Sequence, residues 1–132
     1  MPKRPRRSTK APAWTKRDNN REARIQAACV EYVELVAPQV YVVHIPNGGP
    51  GRSLSRLKWM GAKSGVADLI LIDEHGLAYF AECKDVEGKL TPDQAAFRDF
   101  CHERRYPWAL VRSVNDMADA LRNWCIKTRE AK

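Results

Sequence analysis

Between Asp18 and Val36, apolar residues return every three or four positions: Ile25, Ala28, Cys29, Tyr32, Val33 and Val36. That spacing predicts a helix, with Asp18 or Asn19 as N-cap and Ala37-Pro38 as its end. Residues 40–45 (VYVVHI) read as a strand, 46–51 (PNGGPG) as a loop and 53–60 as a short helix. Two runs rich in apolar and β-branched residues then flank Glu74-His75-Gly76 and predict a hairpin. Thr91, followed by Pro92 at the first helical position, opens a helix through about Arg104. Residues 107–113 (PWALVRS) read as a strand, and Ser113 caps a last helix to about Lys127. The order helix, strand, strand, strand, helix, strand, helix predicts an α/β domain, a mixed sheet of about four strands flanked by helices.

The hairpin carries acid where a strand should be inert. With residues 74–76 as the loop, Asp73 faces Leu77, and the same register sets Asp68 opposite Glu82. Directly opposed side chains stand about 5 Å apart, and like charges there are destabilising. Glu82 and Lys84 share one strand face while Cys83 points away. Glu22 lies on the centre line of the first helix's apolar stripe, with Cys29, Val33 and Val36 within about 40° of it. Glu31 and Glu34 fall on the solvent side. A helix N-terminus alone would also favour an acid at Glu22. Carboxylates that must be desolvated together need a counter-charge, and oxygen ligands without a His or Cys cluster suit Mg2+ or Mn2+. Gln94 is explained by a capping box with Thr91, yet it also shares an inward helix face with Phe97 and Cys101. The two roles are compatible. His44 reads as a buried, hydrogen-bonded core histidine, and Asn47-Gly48 as a turn whose amides could meet phosphates.

Charge adds a second theme. Of the 23 Lys and Arg, seven lie in residues 1–17, which hold no acid, and the remaining 16 balance the 16 Asp and Glu. The net +7 thus belongs to a basic N-terminal tail, expected to be disordered, ahead of a folded domain over residues 18–132. A nucleic-acid arm, a localisation signal and a solubilising end share this composition. The arm reading is strengthened by Trp14, whose ring could stack on a base. Its candidate contacts are Lys3, Arg4, Arg6, Arg7, Lys10, Trp14, Lys16 and Arg17, joined by Asn47, Gly48 and Lys63 elsewhere in the chain. At 132 residues, 44% hydrophobic and 30% charged, the rest reads as one soluble domain. No run has the roughly 18 apolar residues of a membrane helix, so no membrane partner is expected. Cys29, Cys83, Cys101 and Cys125 form no CxxC pair, which suggests free thiols in a reducing cytoplasm.

Taken in order, Glu22-x-x-Ile25-Gln26, His44-Ile45-Pro46-Asn47-Gly48, Gly65-x-x-Asp68, Glu82-x-Lys84 and Gln94 resemble the VRR-NUC family. These are the virus-type replication-repair nucleases of the PD-(D/E)xK superfamily, with a restriction-endonuclease-like core. The resemblance covers roughly residues 20–115. One departure is Ala67, where the family usually has proline. The resemblance implies a Mg2+- or Mn2+-dependent endonuclease acting on DNA in a bacterial or phage-infected cytoplasm. It implies Asp68, Glu82 and the Cys83 main-chain carbonyl as metal ligands, and Lys84 as the residue orienting the attacking water. Glu22 would hold a metal-bound water or a second ion, and Gln94 would support the site. It further implies a homodimer resembling Holliday-junction resolvases, with branched DNA as substrate. The last helix, with Met117, Ala118, Leu121, Trp124 and Cys125, carries more apolar surface than so small a sheet need bury, so part of it, or residues 53–60, is the expected dimer contact. Two other readings remain open: a non-catalytic DNA-binding module, and a nuclease for linear ends or RNA.

Overall fold

The computed structural model describes residues 13–46, 59–61 and 63–131, with side chains from Arg21 onward. The tail cations from Lys3 to Lys10, Asn47, Gly48 and most of the expected 53–60 helix lie outside these residues. The side chains of Trp14, Lys16 and Arg17 do too. The elements are α1 (Ala13–Val36), β1 (Tyr41–His44), β2 (Leu69–Ile72), β3 (Ala78–Cys83), α2 (Pro92–Glu103), β4 (Trp108–Val111) and α3 (Val114–Asn123). They form an α/β fold with one four-stranded mixed sheet in the order β1-β2-β3-β4. β1, β2 and β3 run antiparallel, and β4 joins β3 in parallel after the α2 crossover.

The hairpin has the expected register: Leu69 faces Ala81 and Ile72 faces Ala78. Its turn is closed by Asp73, whose Oδ1 accepts from the His75 and Leu77 amides at 2.8 and 2.9 Å. The Asp73 Oδ2 accepts from the Tyr79 hydroxyl at 2.7 Å. Gly76, at φ +81°, supplies the left-handed residue such a loop requires.

The core lies on one sheet face. Cys29, Val33 and Val36 of α1 meet Leu69, Leu71, Tyr79, Ala81, Cys83 and Val111 of the strands and Met117, Ala120 and Leu121 of α3. Side chains alternate, so the even positions of β3 face the other way, where Phe97 of α2 packs edge-on against Phe80 at 5.3 Å. The last helix therefore spends most of its apolar surface within the chain. Met117 and Leu121 are fully buried in the chain's own core, and Trp124 stacks obliquely on Tyr79 at 5.1 Å. Together with α1 this helix closes the core, so a dimer contact through part of it has to use residues other than Met117 and Leu121.

Helix ends depart furthest from expectation. α1 begins five residues before Asp18, so neither Asp18 nor Asn19 is its cap. α3 ends at Asn123 rather than near Lys127. There the Cys125 amide donates to the Arg122 carbonyl and the Ile126 amide to Leu121, with Cys125 at φ +58°. α2 ends the same way, with Arg105 at φ +60° and the Tyr106 amide donating to Cys101. Both are Schellman ends built without glycine. The left-handed region costs an L-residue roughly 1–2 kcal/mol, part of which glycine returns as backbone entropy. Arg105→Gly is therefore expected to stabilise the protein by about 0.5–1 kcal/mol; a denaturant midpoint that falls would contradict this account.

Candidate active site

Asp68 sits one residue before β2 and ties three strands together. Its carbonyl accepts from the Ile45 amide at 2.8 Å and from His44 Nδ1 at 3.0 Å, which fixes it to the end of β1. Its Oδ2 accepts from the Cys83 amide at 2.9 Å, where the β2–β3 ladder has already stopped. A side chain thus replaces the missing strand partner. The carbonyl acceptor also means that the His44 Nδ1 carries the proton. His44 is exposed, not buried as expected, because β1 is an edge strand and its last residue faces solvent.

Glu82 lies across from Asp68, on the sheet face toward α2, and is 1% exposed. Its Oε1 accepts from Gln94 Nε2 at 2.9 Å, while its buried Oε2 meets no donor. Burial, then the Asp68 charge and a carboxyl–carboxyl contact with Asp68, push Glu82 up to about 8; Lys84 opposes this and Glu22 adds to it. At neutral pH the metal-free Glu82 therefore keeps its proton.

Lys84, 7% exposed, is held at its backbone by the Val111 carbonyl at 3.0 Å. Its ammonium stands 3.9 Å from Glu22 Oε1 at the N-terminal part of α1. The adjacent pair Arg21 and Asp85 meets at 3.7 Å, so α1 grips the end of β3 twice. Gln94 has both of its anticipated roles. Its Oε1 accepts from the Thr91 amide at 2.9 Å in a capping box, which leaves Nε2 facing Glu82. The structure thus brings together Glu22, Asp68, Glu82, Lys84 and Gln94.

Two supports were not evident in the residue pattern alone. Gly65, at φ +90°, lies so close to the first turn of α2 that a Cβ would stand 2.3 Å from the Asp93 carbonyl oxygen. It lets the segment leading into Asp68 lie against the helix that carries Gln94. Arg112 reaches the turn after Lys84, where its Nη1 donates to the carbonyls of Asp85, Val86 and Gly88. Gly65 stands in the Gly65-x-x-Asp68 pattern, but nothing in that pattern points to Asp93, and Arg112 has no sequence signature at all, since both contacts join segments distant along the chain.

The donor set suits a hard dication. Among the described residues, no three His, Cys, Asp or Glu side chains stand close enough to hold a metal as a complete cage. Mg2+ does not need one, since it is commonly bound through one or two carboxylates with several waters retained. The orphaned Glu82 Oε2 beside Asp68 is the kind of oxygen such an ion would satisfy. The Cys83 thiol takes no part. It points into the core against Cys29, and that contact together with burial pushes it up, so it stays protonated. Of the expected DNA contacts, Lys63 is described and exposed. A cleft of about 290 Å3 lined by Val36, Gln39, Glu74 and Arg129 holds none of the site residues.

No protein-family profile and no curated protein sequence matches the chain. Solved structures do. One, titled "VRR_NUC domain", is 23% identical, with a TM-score of 0.56 over 79% of this chain and 97% of that one. Another, titled "VRR_NUC domain protein", is 20% identical, with a TM-score of 0.59 over 76% of this chain and 84% of that one. The chain has the fold of these VRR_NUC domains, with the five residues above gathered at one end of its sheet.

Proposed function

We propose that this chain is a VRR-NUC-type nuclease, a Mg2+- or Mn2+-dependent DNA endonuclease selective for branched DNA and working as a homodimer. The observation that carries the reading is the buried Glu82 carboxyl opposite Asp68, with Lys84 on the same strand end. A structural role alone does not explain two opposed acids, one of them with an unmatched buried oxygen. Asp68, Glu82 and the Cys83 carbonyl would hold the ion, and Glu22 would reach it through water. When bound, the ion would supply Lewis-acid stabilisation of a phosphoryl oxygen and lower the pKa of a bound water.

The remaining chemistry belongs to the chain. Lys84 adds positive charge where negative charge develops, and its burial makes that charge stronger than in water. Glu22 restrains the ammonium from the other side. Gln94 fixes the Glu82 carboxyl by one hydrogen bond and is itself fixed by Thr91, so Glu82 cannot swing away. The basic segment 1–17 would serve as an arm along the phosphate backbone. No helix among the described residues is long and apolar enough to cross a membrane, and the four cysteines are free, which suits a reducing cytoplasm. Resolving a four-way junction needs two cuts related by two-fold symmetry, which a second copy provides. Phe100 and Tyr106, both near half exposed on the α2 side, offer apolar surface for that contact.

Asp68→Ala, Glu82→Ala and Lys84→Ala are each expected to slow nicking by at least about 10²-fold while leaving DNA binding largely intact. Cleavage of junction, flap, linear duplex, single-stranded DNA and RNA with Mg2+ or Mn2+ checks both the chemistry and the substrate. Full cleavage by a well-folded Glu82→Ala protein would refute the assignment. Light scattering at tens of micromolar should give a dimer; a monomer that still cuts junctions symmetrically would contradict the proposed assembly.

The Glu82 carboxyl also makes a prediction without DNA. Its folded pKa, about 8, exceeds the ordinary 4.5, so its contribution is most favourable below 4.5 and is lost as pH rises through 8. Glu82→Gln keeps the shape and removes the titration. In EDTA the mutant should gain on wild type as pH rises across this window, by about 1 kcal/mol or more at pH 8. Several millimolar Mn2+ should raise the wild-type melting temperature and do much less for the mutant. If both proteins melt alike in EDTA and respond alike to Mn2+, the two acids do not share an ion.

A further inference from the structure

The turn after Lys84 is built around one guanidinium. The Arg112 Nη1 donates to the Asp85 carbonyl, to Val86 at 3.2 Å and to Gly88 at 2.7 Å. Three carbonyls of residues 85–88 therefore converge on a single cationic nitrogen, a charge-assisted arrangement stronger than neutral pairs. The turn is closed by the Gly88 amide on the Asp85 carbonyl at 2.9 Å and by the Val86 amide on the Asp85 Oδ1 at 2.7 Å. The Arg112 main chain is anchored in turn, its amide donating to Asp116 Oδ2 at 2.9 Å in the first turn of α3.

What the turn covers is Lys84. A Cβ placed on Gly88 would stand 3.4 Å from Lys84 Cδ and 3.3 Å from the Asp85 carbonyl oxygen, so the returning backbone lies along the lysine stem. The preceding residue, Val111 at the end of β4, accepts from the Lys84 amide at 3.0 Å. Two consecutive residues, the last of β4 and the one after it, thus hold the lysine twice: Val111 by its backbone, and Arg112 by the turn closed over its side chain. The ammonium emerges from this sleeve 3.9 Å from Glu22. A lysine side chain has four rotatable bonds, and only a wall along its stem selects one direction for its charge.

We propose that Arg112 is a positioning residue for phosphodiester cleavage, holding turn 85–88 over the Lys84 stem and so setting where the Lys84 ammonium stands. This rests on the nuclease reading of Lys84 given above. Arg112 touches neither substrate nor ion. Its loss should lower the turnover step and leave DNA affinity alone, because misplacing a catalytic group by about 1 Å can cost roughly 10²-fold.

The test uses the full chain with Arg112→Gln and, approaching the same turn without touching the arginine, Gly88→Ala. Gly88 has no left-handed φ, so the added methyl acts by pressing on Lys84 and the Asp85 carbonyl. With a branched duplex and Mn2+, Arg112→Gln should reduce kcat by about 10²-fold with KM little changed, and Gly88→Ala several-fold in the same sense. The second readout needs no cleavage. In 13C-lysine NMR, the Lys84 ε-methylene signal, identified by its loss in Lys84→Ala, should move toward the exposed lysines in both variants. A Lys84 signal that stays in place in a folded Arg112→Gln protein overturns the proposal. So does a loss that falls on KM rather than kcat. Wild-type protein that cuts no substrate, while the Lys84 signal still moves as described, would overturn the nuclease reading alone.

Discussion

A carboxyl group 1% exposed at the end of a central strand, with a second carboxyl across from it, can be accommodated in two ways: it keeps a proton or it meets a cation. Glu82 is in that position, and both solutions have a cost. Keeping the proton at neutral pH works against folding, because the unfolded chain ionises Glu82 freely. Meeting a cation requires that nearby donors not already fill the oxygen, and the Oε2 has been left without one. Much of the local architecture follows from holding these two acids in place. Gln94 satisfies the other Glu82 oxygen, the Cys83 amide satisfies Asp68, and Lys84 offsets part of the repulsion.

The supporting contacts come from every layer of the fold. β1 fixes Asp68 through the Ile45 amide and His44, and β4 fixes Lys84 through Val111. α2 brings Gln94, and its first turn can lie against the Asp68 segment only because residue 65 lacks a Cβ. α1 contributes Arg21 and Glu22 to adjacent residues of the β3 end. No single element carries the site. A sheet whose ladders stop at this edge leaves backbone groups unpaired there, and side chains take them up.

The register of this hairpin was legible because it depended only on local facts: a three-residue loop with glycine, and apolar alternation on either side. Once the register is known, the opposition of Asp68 and Glu82 follows. Gln94 was legible for a similar reason, as a capping box and an inward helix face both depend on neighbours in sequence. What could not be read depended on distant or unusual geometry. Arg105 and Cys125 end their helices in a conformation that sequence normally marks with glycine, so the end of α3 came earlier than expected. The surplus of apolar residues in α3 looked unspent only because the closure of the core by α1 and α3 together is a tertiary fact. Gly65 and Arg112 act on partners 28 and 24 to 27 positions away, beyond any local pattern.

On the proposed reading, charge is divided between recognition and chemistry. From Asp18 on, the chain is electrically balanced, and its site end is rich in acids, so it exerts little general attraction on DNA. The +7 of residues 1–17 is separate in sequence, yet α1 starts at Ala13 and runs without interruption to the turn that holds Glu22 and beyond. Part of the basic segment is therefore on the same helix as the residue that restrains the Lys84 ammonium. A polyanion drawn in by that segment arrives at the helix end nearest the acids. It can approach them closely only when their charge is offset. The dication and Lys84 are the groups placed to do so, which couples tight engagement of the scissile phosphate to a loaded site. Binding by the arm alone carries no such condition, so affinity and cleavage are separable properties of this chain.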